Sequence, residues 1–170
     1  MYGFLKIVFV LLLCNQIVRS VMRKRHRSLL YKKALKRAND TGKKLLVIGD
    51  PENGIANTLF GTDYGYGDEC LDLTGCPKAP EGVKVYKGKL EDILPTIDLS
   101  ERVVFISCTL EYVDDIRGII DRLHGMERDD LFILNIDPWT IEAWWYPTFI
   151  TKEPSIKRRV HYDGKRITYS

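Results

Sequence analysis

Apolar positions divide this chain into two unlike parts. Tyr2 to Val18 is apolar except for Lys6, Asn15 and Gln16, whereas from Lys43 onward apolar residues gather in short blocks separated by polar or helix-patterned stretches. The blocks predict strands at Leu45 to Ile48, Glu69 to Leu73, Val83 to Tyr86, Arg102 to Ser107 and Leu131 to Ile136, and helices at Asn53 to Phe60, Leu90 to Leu94 and Glu111 to Leu123. In the last helix Ile116, Ile119, Ile120 and Leu123 share one face. Strands that are apolar throughout need cover on both faces, which predicts an α/β fold, a mostly parallel Rossmann-like sheet with flanking helices. Val47, Ile48, Val104, Phe105, Ile106, Phe132, Ile133 and Ile136 are expected to be buried, with the first, fourth and fifth strands parallel and adjacent. Asp163-Gly164, between alternating residues from Val160 to Ile167, predicts a C-terminal β-hairpin.

The amino-terminal run is 17 residues, or roughly 26 Å of helix at about 1.5 Å per residue, close to a hydrocarbon core of about 30 Å. It therefore reads as a transmembrane helix. Arg19, Arg23, Lys24, Arg25 and Arg27 follow it, and the positive-inside rule then leaves the rest of the chain facing the cytosol. The alternative is a signal peptide cleaved after Ser20 and a secreted product. Ser28 to Ala38 spaces Leu29, Leu30, Ala34, Leu35 and Ala38 along a helix with bases opposite, a pattern that suits either anionic headgroups or docking on the domain. The expected organisation is an anchor at residues 2–18, a basic membrane-proximal arm at 19–40 and an α/β domain at 41–170.

The 170 residues, 45% of them apolar, suit one globular domain, and the four cysteines are too few for a disulfide miniprotein. The net charge of +3 hides a segregation. Residues 1–40 hold ten Lys/Arg against Asp40 alone (+9), and residues 41–170 hold 16 bases and 22 acids (−6). An acidic domain lacks the basic face that phosphate contacts require, so no nucleic-acid partner is expected for it.

Candidate chemistry lies at the strand ends, because open α/β sheets bind ligands beyond the carboxyl ends of their strands, where the strand order reverses. Gly49-Asp50-Pro51-Glu52-Asn53-Gly54 follows the first strand, Asp72-Leu73-Thr74-Gly75 the second, and Ser107-Cys108-Thr109-Leu110-Glu111 the fourth. Glycines allow close backbone approach to a ligand, and an acid about 20 residues past the first turn can accept hydrogen bonds from ribose hydroxyls; Asp72 lies 23 past Gly49. These segments resemble the class I S-adenosylmethionine-dependent methyltransferases, which place a glycine-containing loop after the first strand, a ribose-binding acid at the end of the second, and a Leu-Glu-His-Val-like helix start after the fourth, here Leu110-Glu111-Tyr112-Val113. Asp63 to Asp68 together with Asp72 to Pro77 is similar to methyltransferase-like proteins of large viruses. The resemblance spans about Lys43 to Asp137 and implies S-adenosylmethionine as cofactor, bound through Gly49, Asp50, Gly54 and Asp72 over a floor that includes Ser107, Cys108 and Glu111. It also implies that the hairpin after Val160 closes the sheet. Val47 stands where the family carries an acid, and Pro51 where it carries its second glycine.

Other candidates carry less. Cys70, Cys76 and Cys108 with His124 or His161 form no Cys-x-x-Cys pair, so buried thiols in a reducing compartment are expected and a metal site is not. Trp139, Trp144, Trp145, Tyr146 and Phe149 suit core packing or an apolar wall beside a ligand. No Gly-x-Gly-x-x-Gly supports dinucleotide-dependent reduction. Two readings remain: a membrane-anchored, methyltransferase-like protein of unknown acceptor and unassigned catalytic residues, and a non-catalytic membrane-associated interaction protein that keeps the fold.

Overall fold

The computed structural model describes residues 2–52, 61–107, 109–110, 113–134, 149–152, 159–162 and 167–169. A long helix, α1 (Tyr2–Thr41), turns at Gly42 into β1 (Lys44–Ile48). There follow β2 (Glu69–Asp72), β3 (Lys84–Lys87), the short helix α2 (Leu90–Ile93) with a 3-10 turn at Leu94–Thr96, β4 (Arg102–Ser107), α3 (Ile116–His124), a second 3-10 turn at Arg128–Asp130, and β5 (Leu131–Leu134). These five strands form one sheet in the order β3-β2-β1-β4-β5, and every pairing is parallel. The Rossmann-like α/β expectation and the adjacency of β1, β4 and β5 both hold. The helix predicted at Asn53 to Phe60 lies outside the described residues, as does Ile136.

Strands β6 (Phe149–Lys152), β7 (Arg159–Tyr162) and β8 (Ile167–Tyr169) form a separate antiparallel sheet in that order. The hairpin predicted around Asp163-Gly164 is thus present as β7 and β8. Instead of closing the large sheet, it pairs with β6.

Two apolar cores flank the parallel sheet. On one face Leu46, Ile48, Leu71, Val104, Ile106, Leu131 and Ile133 pack against Leu90, Leu94, Ile116, Ile119, Ile120 and Leu123. Helix α3 supplies all four residues of its predicted face, and its start is fixed by the Asp115 carboxylate, which accepts from the Gly118 N–H at 3.0 Å. On the other face Leu45, Val47, Val103 and Phe105 meet Ala34 and Ala38 of α1, with Tyr64 and the half-buried Leu30, Tyr31 and Phe132 around them.

The second half of α1 is therefore cover for the sheet, the docked alternative among those considered for Ser28 to Ala38. The buried face differs from the expected one. Arg27, Tyr31, Ala34 and Ala38 point inward at three- and four-residue spacing, while Leu29 and Leu35 are 49% and 38% exposed. Charge decides this rotation. The Arg27 guanidinium meets the Asp63 carboxylate through Nε at 2.7 Å and Nη2 at 2.6 Å and lies 5.0 Å over the Tyr64 ring. At the far end of the helix, Arg37 and Lys43 both reach Asp130 at 2.7 Å. Breaking a buried pair by removing one partner costs about 3–5 kcal/mol, so the helix rotates to keep these pairs intact.

The first half of α1 leaves the domain. Phe4, Ile7, Phe9, Val10 and Val21 are 54–72% exposed. Among the described residues no helix is long and apolar enough to cross a membrane, so the expected transmembrane helix is not supported; Tyr2 to Val18 form the outer part of one 40-residue helix.

Candidate functional site

Strand order reverses between β1 and β4, since the chain runs from β1 to β2 and β3 on one side and to β4 and β5 on the other. The carboxyl ends of β1, β2 and β4 adjoin there, the place where open α/β sheets form a ligand crevice. Gly49 closes β1 at φ +100°, its N–H donating to the Leu71 carbonyl at 2.8 Å. A Cβ at this position would meet Thr109 Oγ1 at 2.5 Å, so glycine is required by both backbone and neighbour. Thr109, just past β4, donates its hydroxyl to the carbonyls of Ser107 at 3.1 Å and Ile48 at 3.3 Å. It thereby stitches β4 to β1 directly above Gly49.

Asp72 ends β2, where the ribose-binding acid is expected. Its Oδ2 accepts from the Asp50 N–H at 3.1 Å, and its Oδ1 accepts from both the N–H and the hydroxyl of Thr74, at 2.8 and 2.6 Å. A carboxylate offers about four acceptor positions, and hydrogen bonds among the described residues take three of them, which leaves about one on Oδ2. Gly49, Asp50, Asp72 and Ser107 are thus brought to one edge. Gly54, Cys108 and Glu111 lie outside the described residues, as do Trp139, Trp144, Trp145 and Tyr146.

Two further groups stand near the β1 loop. Glu52 pairs with Lys78 at 2.8 Å, which raises the lysine's pKa. The Tyr66 hydroxyl is buried without a well-aligned hydrogen-bond partner among the described residues. Burial first, and then the negative charges of Asp50 and Glu52, push its pKa well above the usual phenol range. Neither Tyr66 nor Thr74 stands out in the sequence, because both become relevant only once the loops fold back on the strand ends.

The chain matches no protein-family model, no curated protein and no solved structure.

The cysteines differ from expectation. Cys70 on β2 and Cys76 in the following loop form a disulfide with a Cα–Cα distance of 6.5 Å, in place of the buried free thiols expected. The bond encloses the turn that holds Asp72 and Thr74, and Cys76 is held at φ +42°, the one non-glycine residue with positive φ among those described. Neither sulfur is left to ligate zinc, and no metal-holding group of His, Cys, Asp and Glu occurs among the described residues. Disulfides persist in oxidising compartments and are rare in the cytosol.

At the amino ends of the strands, away from the crevice, Glu69 is buried against Arg102, which contacts it through Nε at 2.7 Å and Nη2 at 3.1 Å. Burial alone would raise the Glu69 pKa, but the Arg102 hydrogen bonds and charge outweigh it, and the carboxyl is held below its ordinary value. Asp130 follows the same balance with Lys43 and Arg37. These pairs hold sheet and helix together and take no part in the crevice.

Proposed function

We propose that this chain is a membrane-attached, methyltransferase-like protein whose crevice at the ends of β1, β2 and β4 binds S-adenosylmethionine. The observation that carries the reading is the position of Asp72, a carboxylate at the end of β2 with one acceptor position not taken among the described residues, next to the Gly49 turn of β1, the strand at which the order reverses. A ribose hydroxyl donating to that oxygen would set the nucleoside over Gly49. Methyl transfer needs little covalent help from the protein, and catalysis would come from holding the acceptor in line with the sulfonium. The apolar half of α1 supplies the attachment through Tyr2 to Val18; within the basic arm from Arg19 to Arg37, Arg27 and Arg37 are engaged by Asp63 and Asp130, and exposed bases such as Arg25 are left for the membrane surface.

Calorimetry of the full chain with S-adenosylhomocysteine tests this. Asp72→Ala is expected to weaken binding by about 1.5–3 kcal/mol, the range for hydrogen bonds to a charged group, or roughly ten- to 150-fold, with the far-ultraviolet circular dichroism unchanged. Absence of binding by the unaltered chain would overturn the reading.

One observation favours the second reading, a non-catalytic interaction protein. Thr109 Oγ1 occupies the position over Gly49 that a close-lying ligand would take. If Thr109→Ala gains S-adenosylhomocysteine binding that the unaltered chain lacks, the site is a closed relic of the fold and the interaction reading stands.

A further inference from the structure

We infer that Asn39 is an N-glycosylation acceptor, a modification site at the edge of the sheet remote from the crevice. The inference is independent of the cofactor reading. Asn39-Asp40-Thr41 is an Asn-x-Thr sequence without proline at its centre, the pattern to which secretory transferases attach an oligosaccharide. Of the five asparagines in the chain, Asn15, Asn53, Asn57 and Asn135 have neither Ser nor Thr two residues on, so Asn39 alone qualifies.

Such an acceptor must stand at the surface, and the fold puts it there. Asn39 and Thr41 are both exposed in the last turn of α1. Ala38 is buried against the sheet, and one helical residue turns by about 100°, which swings Asn39 onto the exposed row of Lys32 and Lys36. The Asn39 carboxamide makes no hydrogen bond among the described residues. Close by, a Cβ on Gly42 would meet nothing within 4 Å, so the surroundings are open. Helix α1 runs antiparallel to the strands, with Arg37 level with Asp130 just before β5. Its last turn therefore lies at the amino edge of the sheet, and an oligosaccharide there meets neither Gly49 nor Asp72.

Folding order leaves the acceptor open during synthesis, because most helical stability comes from tertiary packing. Ala34 and Ala38 hold the end of α1 on Val47 and Phe105, and Arg37 holds it on Asp130, 93 residues further along the chain. Until those residues are made, nothing fixes the turn in which the Thr41 hydroxyl donates to the Arg37 carbonyl at 2.8 Å. The compartment fits as well: a formed Cys70–Cys76 bond belongs to the oxidising secretory lumen, where oligosaccharide is also attached, with Tyr2 to Val18 as the export signal. This is the side opposite to that expected from Arg19 to Arg27. In the transfer the Asn39 carboxamide nitrogen attacks the anomeric carbon of a lipid-linked oligosaccharide diphosphate. A carbon–nitrogen bond forms, the bond from that carbon to the diphosphate oxygen breaks, the lipid diphosphate leaves, and one amide proton passes to a base of the transferase.

The full chain is expressed in cultured mammalian cells beside Asn39→Gln, Thr41→Ala and Thr41→Ser, and each is digested with peptide-N-glycosidase before electrophoresis. The unaltered chain and Thr41→Ser should gain mobility on digestion, whereas Asn39→Gln and Thr41→Ala should not change. Both positions are exposed and attachment precedes folding, so a folding defect does not imitate the loss. An unaltered chain that digestion leaves unchanged overturns the inference, and so does a mobility gain that persists in Asn39→Gln.

Discussion

Gly49→Ala is the sharpest probe of the crevice, because two distinct costs meet at one carbon and a second substitution separates them. At φ +100° an L side chain is strained by about 1–3 kcal/mol. The new methyl would also lie 2.5 Å from Thr109 Oγ1, with its next neighbour, the Ser107 carbonyl, at an ordinary 3.5 Å. The clash therefore falls on the hydroxyl, which must turn away and lose the donation it shares between Ser107 and Ile48, worth about 0.5–1.5 kcal/mol. Gly49→Ala should cost about 2–4 kcal/mol. In a Thr109→Ala background the hydroxyl is already gone, so only the backbone strain remains. The double variant should then be about 1 kcal/mol more stable than the two single effects added together. Urea unfolding of the four proteins, followed by circular dichroism, measures this cycle. Contacting residues couple by about 0.5 kcal/mol or more, whereas independent ones add within about 0.3–0.5 kcal/mol. Strict additivity would show that Thr109 does not sit over Gly49, and the crevice geometry would fall with it.

Acid should unfold the domain through its buried carboxylates. Glu69 and Asp130 are both held below their ordinary values of 4.5 and 3.8, so the stability they confer is complete above those values and is lost as pH falls toward the depressed ones. The urea midpoint should drop below about pH 4.5, with a shallower slope in Glu69→Gln, which at pH 7 should cost about 3 kcal/mol by leaving Arg102 unpaired; an unchanged slope refutes the assignment. Reducing Cys70–Cys76 opens a loop of seven residues and should cost about 2 kcal/mol, and thiol trapping in intact cells should find the pair bonded if the domain is exported and free if it faces the cytosol. Removing residues 1–22 should leave a cooperative unfolding transition, since the apolar side chains described there are exposed. Removing residues 1–42 should abolish it by stripping Tyr31, Ala34 and Ala38 from Phe105 and Val47, and a cooperative 43–170 fragment would contradict the role given to α1.

The parallel sheet was legible because burial on both faces leaves a local mark, an unbroken apolar block with β-branched residues. Every strand from β1 to β5 begins and ends within two residues of its expected place where the chain is described. Phe132, expected in the core, is only half-buried because β5 lies at the sheet edge. Asp72 was legible as a strand-end acid by its distance from Gly49. Its partners were not, since the Thr74 turn and the Asp50 N–H are set by how two loops meet. The disulfide left no mark either: five residues separate the cysteines, and only the backbone of Gly75 at φ +86° and Cys76 at φ +42° turns the second sulfur back to the first.

Charged residues account for the error in α1. Arg27, Arg37 and Arg102 read as solvated bases in any local window, yet each meets a buried or half-buried carboxylate 36, 93 or 33 residues away. A helix whose leucines define its apolar face would turn Leu29 and Leu35 inward. Here the sheet presents Phe105 and Val47, which the Tyr31 ring and two alanines cover, while Asp63 and Asp130 stand at the two ends of the contact. Satisfying both carboxylates fixes the rotation of α1 about its axis and its height along the strands together. That height determines which edge of the sheet the outer half of α1 passes, and so places the apolar segment on the same side as Gly49 and Asp72.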